Sequence, residues 1–175
     1  NFKRKPLVKA QNEIMDLEKD IKYLKNSLPK IITKLQEEEI ESGHFYVQVL
    51  DYLRETIHAI THIVMPIFTY IDNNHKTLKP DQKTELDALK NNIDTFYKAT
   101  LKILEEDGFE DIDRILKDQN ELLESVTQIN KRQLKRIKNQ EVGTKNSTLY
   151  LNIMSETKNL LLFTVNLIKA QRDFL

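Results

Sequence analysis

Three of the four histidines in this chain of 175 residues, His44, His58 and His62, fall on one row with Glu41, Gln48, Asp51 and Glu55. Steps of three and four keep such a row on one side of a helix, because each helical residue turns through about 100°. Imidazoles four residues apart project the same way and can share a metal ion, while nearby carboxylates add oxygen donors and negative charge. Asp51, Glu55, His58 and His62 are therefore the candidate ligands for a divalent or iron-type metal ion. The same row is also what any amphipathic helix shows to water. It lies about 160° from the apolar face of its own segment, so it points outward or toward a neighbouring surface.

Glu55-x-x-His58 has the spacing of di-iron carboxylate bundles, which need a second such pair on another helix and ligands aimed inward. No other helix predicted from the sequence holds a histidine, and His75 falls in a loop. Glu41 and His44 cross a turn on the same segment. The sequence has no phosphate-cradling glycine loop, dinucleotide fingerprint, nucleophile elbow or HExxH motif. With Cys 0, thiol catalysis, thiolate metal sites and disulfides drop out together. These residues predict a binding module without catalytic or organic-cofactor residues, and not an enzyme.

Charge narrows the partners. The formal net charge is +0, so no global field draws the chain to nucleic acid. Locally, Phe2-Lys3-Arg4-Lys5 opens the chain, and Lys131, Arg132, Lys135, Arg136 and Lys138 crowd a second segment. Cations suit the last turns of a helix, and either cluster is also a candidate contact for anionic lipid or an acidic partner. A basic opening also matches the cytoplasmic flank of a preceding membrane span. Acidic runs at Glu37, Glu38, Glu39 and Glu41, and from Glu105 to Asp113, read as solvated helix ends or as pairing surfaces in an oligomer such as a homodimer.

Three glycines and four prolines are too few for the turns of a sandwich, a barrel or a wound sheet. Hydrophobic residues at 39% and charged ones at 31% fit a folded chain, and its spacing is helical throughout. Leu7, Ala10, Ile14, Leu17, Ile21, Leu24, Leu28, Ile31 and Leu35 form one stripe. Pro29 interrupts it as a kink, or as a break capped by Ser27. A second helix, from about Gly43 to Asn73, is wide in its apolar face and should be the most buried, with a bend at Pro66. A third runs from about Asp81 to Gly108, which should adopt the left-handed closing conformation. A fourth spans about Asp111 to Gln140 and ends at Gly143. A fifth starts at a cap on Asn146 or Ser147. The prediction is an all-α antiparallel bundle of about five long helices.

A shift of 104 residues lays Tyr46 on Tyr150 and Val49-Leu50 on Ile153-Met154, which suggests two related halves, about 7–107 and 109–175. No stretch is apolar enough to span a membrane. The chain begins at Asn1 and not at Met, so a single domain over 1–175, cut from a longer membrane protein, is expected.

The run Ser42-Gly43-His44-Phe45-Tyr46-Val47-Gln48-Val49-Leu50-Asp51-Tyr52-Leu53-Arg54-Glu55 resembles the helical PhoU-like domain appended to some bacterial inorganic phosphate permeases. Asp72-Asn73-Asn74-His75-Lys76 and the closing segment Thr164 to Phe174 share that resemblance. It implies two three-helix bundles related by duplication, on the cytoplasmic face of the inner membrane. Their partner would be the permease's membrane domain, and their role regulatory. It also implies metal at an acid-x-x-x-acid motif, which Asp51-x-x-x-Glu55 fits and Glu37-x-x-x-Glu41 fits loosely. At the matching positions of the second half stand Ser155 and Asn159, and a sixth helix is missing. A free-standing phosphate-signalling regulator and a ligand-free oligomerisation bundle are the alternatives.

Overall fold

The computed structural model describes residues 4–33 and 40–174. The opening cluster's Phe2 and Lys3, Leu35 of the first stripe, and Glu37 to Glu39 lie outside them. Five long helices run in the order α1 (Arg4–Ile32), α2 (Ile40–Asp72), α3 (Pro80–Glu106), α4 (Ile112–Lys138) and α5 (Thr144–Phe174). A single 3₁₀ turn, Phe109–Asp111, joins α3 to α4, and no strand occurs among the described residues. The architecture is the all-α bundle expected from the hydrophobic spacing.

Helix α5 is the centre of the molecule. Helices α3 and α4 pack against it, and Phe96, Ile115, Val126, Tyr150, Met154, Leu161 and Ile168 interlock in the shared core, each at most 2% exposed. On its other side α5 runs antiparallel to α2, and α1 lies on the far side of α2. Helix α2, expected to be the most buried, is not. Its main neighbours among the described helices are α1 and α5, and its buried hydrophobics there are Leu50, Ile57 and Ala59. The helix with three neighbours takes that place.

Several local expectations shift by a few residues. The helix α1 continues through Pro29 to Ile32, and the Ser27 hydroxyl donates to the Tyr23 carbonyl, so no new helix is capped there. Three helix ends close through a left-handed residue, and none is a glycine: Asn74 (φ 54°), Asp107 (φ 51°) and Gln140 (φ 56°). After each, the next amide reaches back five residues, as Gly108 N–H does to the Ile103 carbonyl at 3.0 Å. Gly108 follows the closing residue instead of forming it. Gly143 lies past the end of α4, beside the start of α5. That start is one turn earlier than the cap predicted at Asn146 or Ser147. The Ser147 hydroxyl donates back to the Gly143 carbonyl, and the Asn146 amide is committed to Gln82.

The α1–α2 and α4–α5 hairpins carry matched stripes. The eight buried residues of α4, Ile112, Ile115, Gln119, Leu122, Val126, Ile129, Gln133 and Arg136, stand 105 positions after Leu7, Ala10, Ile14, Leu17, Ile21, Leu24, Leu28 and Ile31 of α1. Helices α2 and α5 correspond at 104, from Ile40 against Thr144 onward.

Candidate functional site

The row proposed for metal binding lies on α2, whose side chains there face water. Side-chain exposure is 57% for Asp51, 35% for Glu55, 48% for His58 and 64% for His62. Arg54, one step away, takes both acids: its Nη2 lies 3.0 Å from Glu55 Oε1 and 3.5 Å from Asp51 Oδ1. A guanidinium between two carboxylates neutralises the charge a metal ion would use, so these two acids are engaged as placed. The histidines stand apart from that pair. Their ring centroids are 6.4 Å apart, and His58 Nδ1 is 4.0 Å from Glu55 Oε2. Among the described residues, no three histidine or acidic side chains are arranged to hold an ion.

A residue outside the predicted set joins this site from α5. Glu156, with 18% of its side chain exposed, places Oε2 3.9 Å from His62 Nδ1 and accepts from Asn159 Nδ2 at 3.2 Å. One turn earlier on α5, Asn152 Nδ2 donates to the His62 backbone carbonyl at 2.8 Å. The structure thus brings His62 and Glu156 together across α2 and α5, a pairing of one imidazole with one carboxylate and not a three-donor ion site. Glu156 escaped notice because it belongs to another helix, and spacing along one chain segment carries no such information. The di-iron arrangement does not form here. Glu55 and His58 are half-exposed on one helix, and His75, the remaining histidine, lies in the α2–α3 connection with its ring tilted against Tyr70 of α2.

The strongest electrostatics lie elsewhere, where α3, α4 and α5 meet. Glu85 accepts a two-pronged contact from Arg136, at 2.8 Å and 3.0 Å, together with Arg132 Nε and the Tyr150 hydroxyl at 2.6 Å. Arg136 Nε also donates to Asp81 at 2.7 Å. Burial would raise the Glu85 carboxyl, but the hydrogen bonds from Arg136, Tyr150 and Arg132 prevail and hold it at about 2. The same carboxylate pushes Arg136 upward, and burial with Glu85 raises the Tyr150 phenol. Below this cluster, fully buried Gln82 bonds Gln133 at 2.9 Å and exchanges bonds with Asn146 at 2.8 Å and 3.0 Å, tying all three helices. Every charge here is paired inside the fold, which marks a structural lock. Two members of the expected basic surface, Arg132 and Arg136, are therefore spent on α3. Lys131, Lys135 and Lys138 remain exposed.

A half-open groove of about 850 Å³ lies at the same end of the molecule, floored by Ile67, Ile71, Leu86, Leu149 and Ile153. Comparison with known proteins returns no match: no family model, no curated protein and no solved structure corresponds to this chain. None of the described helices is long and apolar enough to cross a membrane.

Proposed function

We propose that this chain is a non-catalytic regulatory module that controls an inorganic phosphate permease by docking to its cytoplasmic face. The observation that supports this reading is the pair of matched hairpins, α1–α2 and α4–α5, which is the kind of duplication that a PhoU-like bundle requires. The resemblance of Ser42 to Glu55 supplies the phosphate connection. A docked domain shifts a transporter's equilibrium only by binding its states unequally. The contact surfaces are the exposed row on α2 and the free lysines Lys131, Lys135 and Lys138 at the end of α4. Within this reading the imidazole pair His58 and His62 is the candidate metal-binding element, with Glu156 3.9 Å from His62, and an ion taken up there changes the charge of the docking row.

The test is phosphate uptake by the full permease, with and without this module, and with Lys131, Lys135 and Lys138 all replaced by Glu. Loss of the module changes the dependence of uptake on external phosphate, and the triple substitution reproduces that change. Identical uptake in all three, or a parent gene without hydrophobic spans, overturns the proposal.

A further inference from the structure

The two matched hairpins are buried to different depths. All eight stripe residues of α4 are at most 7% exposed. Of their counterparts on α1 only Ile14 is buried, and Leu17 is 45% exposed where its match Leu122 is 5% exposed. The second helix of each pair shows the same contrast. Tyr150, Thr157 and Ile168 of α5 are 0%, 4% and 0% exposed, whereas Tyr46, Leu53 and Val64 of α2 are only half-buried. The cause is α3, which lies over α4 and α5 and has no counterpart over α1 and α2 among the described residues.

We infer that this uncovered face of α1 and α2 is the contact surface of a two-fold dimer of this chain. Its size suits that role. A face about 45 Å long and two helices wide offers roughly 900 Å², against about 800 Å² per partner in a standard stable interface. Its chemistry suits self-pairing as well. With the two-fold axis parallel to the helices, α1 of each copy lies antiparallel to α2 of the other, and four helices close into an up-and-down bundle. In that register the acids flanking α1, Glu13, Asp16 and Asp20, lie beside the uncharged flank of α2 around Val49, Leu53 and Thr56. They do not meet their own copies, so no like-charge contact opposes closure. The contact is independent of the permease reading and holds for the isolated chain.

Sedimentation equilibrium of the chain of 175 residues tests it. Across about 1 to 100 μM the mass rises to twice the 20.7 kDa of one chain. Leu17→Glu and Leu53→Glu each weaken association about tenfold or more. Leu134→Glu, at a 56% exposed position on the outer face of α4, leaves it unchanged. Circular dichroism verifies folding, and Leu17→Glu decides the matter if Leu53→Glu unfolds. A chain still monomeric at about 100 μM overturns the inference. So does a dimer indifferent to Leu17→Glu, a mass growing beyond two chains, or a monomer that instead captures a synthetic amphipathic helix on this face.

Discussion

Asn152 supplies the hydrogen bond that Pro66 takes away from His62. Proline has no N–H, so the carbonyl four residues earlier in the helix loses its donor. That carbonyl belongs to His62, and the Asn152 side-chain amide reaches it from α5 at 2.8 Å. A local defect in α2 thereby becomes a bond between helices that fixes their register. Asn152→Leu should cost about 1 kcal/mol, read from urea unfolding, because the carbonyl is left unpaired. In a Pro66→Ala background the helical donor returns, and the same substitution should cost less than half as much. Equal costs in the two backgrounds would show that Asn152 stabilises by some other route.

Glu85 makes stability depend on acid. Its folded value of about 2 lies below the ordinary 4.5, so its contribution is complete above pH of about 4.5 and is lost as pH falls from there toward 2. The loss should be on the order of 3 kcal/mol, with acid unfolding as the readout. Glu85→Gln should flatten that part of the profile. It should also destabilise the protein at neutral pH by about 3 kcal/mol or more, since Arg136, with 8% of its side chain exposed, loses its principal partner.

Zinc titration separates the imidazole pair from the acids beside it. Replacing both His58 and His62 by Ala should weaken zinc binding about tenfold or more. Arg54→Gln should strengthen it by releasing Asp51 and Glu55. Calorimetric curves that are the same for wild type and the double alanine variant would remove the site.

Gln140 closes α4 at φ 56°, a conformation that side chains with a Cβ resist. Gln140→Gly should stabilise the protein by about 1 kcal/mol, visible as a raised melting temperature. Gly143→Ala, at a position with nothing within 4 Å of an added Cβ and no left-handed backbone, should have little effect. The reverse ranking would place the left-handed requirement at Gly143 after all.

The helices and their phases were legible because a stripe repeating every three or four residues is a property of one segment alone. Ile112 to Ile129 and Tyr150 to Ile168 declare their buried sides without reference to any neighbour. What depends on a neighbour was not legible. The most apolar stretch, on α2, promised the deepest burial, but burial is set by how many helices surround a segment, and α5 has more. Arg136 looked like a surface cation because its distance in sequence from Glu85 hides a bond of 2.8 Å. Asp107 took the left-handed closure expected of Gly108, and Gln140 closed the helix that Gly143 was expected to end, since an amide that can reach back to a free carbonyl compensates for a strained residue. At the candidate site, the row of Asp51 to His62 followed from helical geometry, whereas Arg54's hold on the acids and the approach of Glu156 required the third dimension.

Helix α1 rests chiefly on α2, at the rim of the molecule, and none of its described residues belongs to the core cluster around α5. Detaching it strips cover from Leu50 and Ile57 yet leaves Phe96, Tyr150 and Ile168 enclosed. A single undimerised chain therefore comes apart from its edge inward: amide protons in α1 should trade with solvent long before those of α4 and α5, and a protease should find its first foothold there.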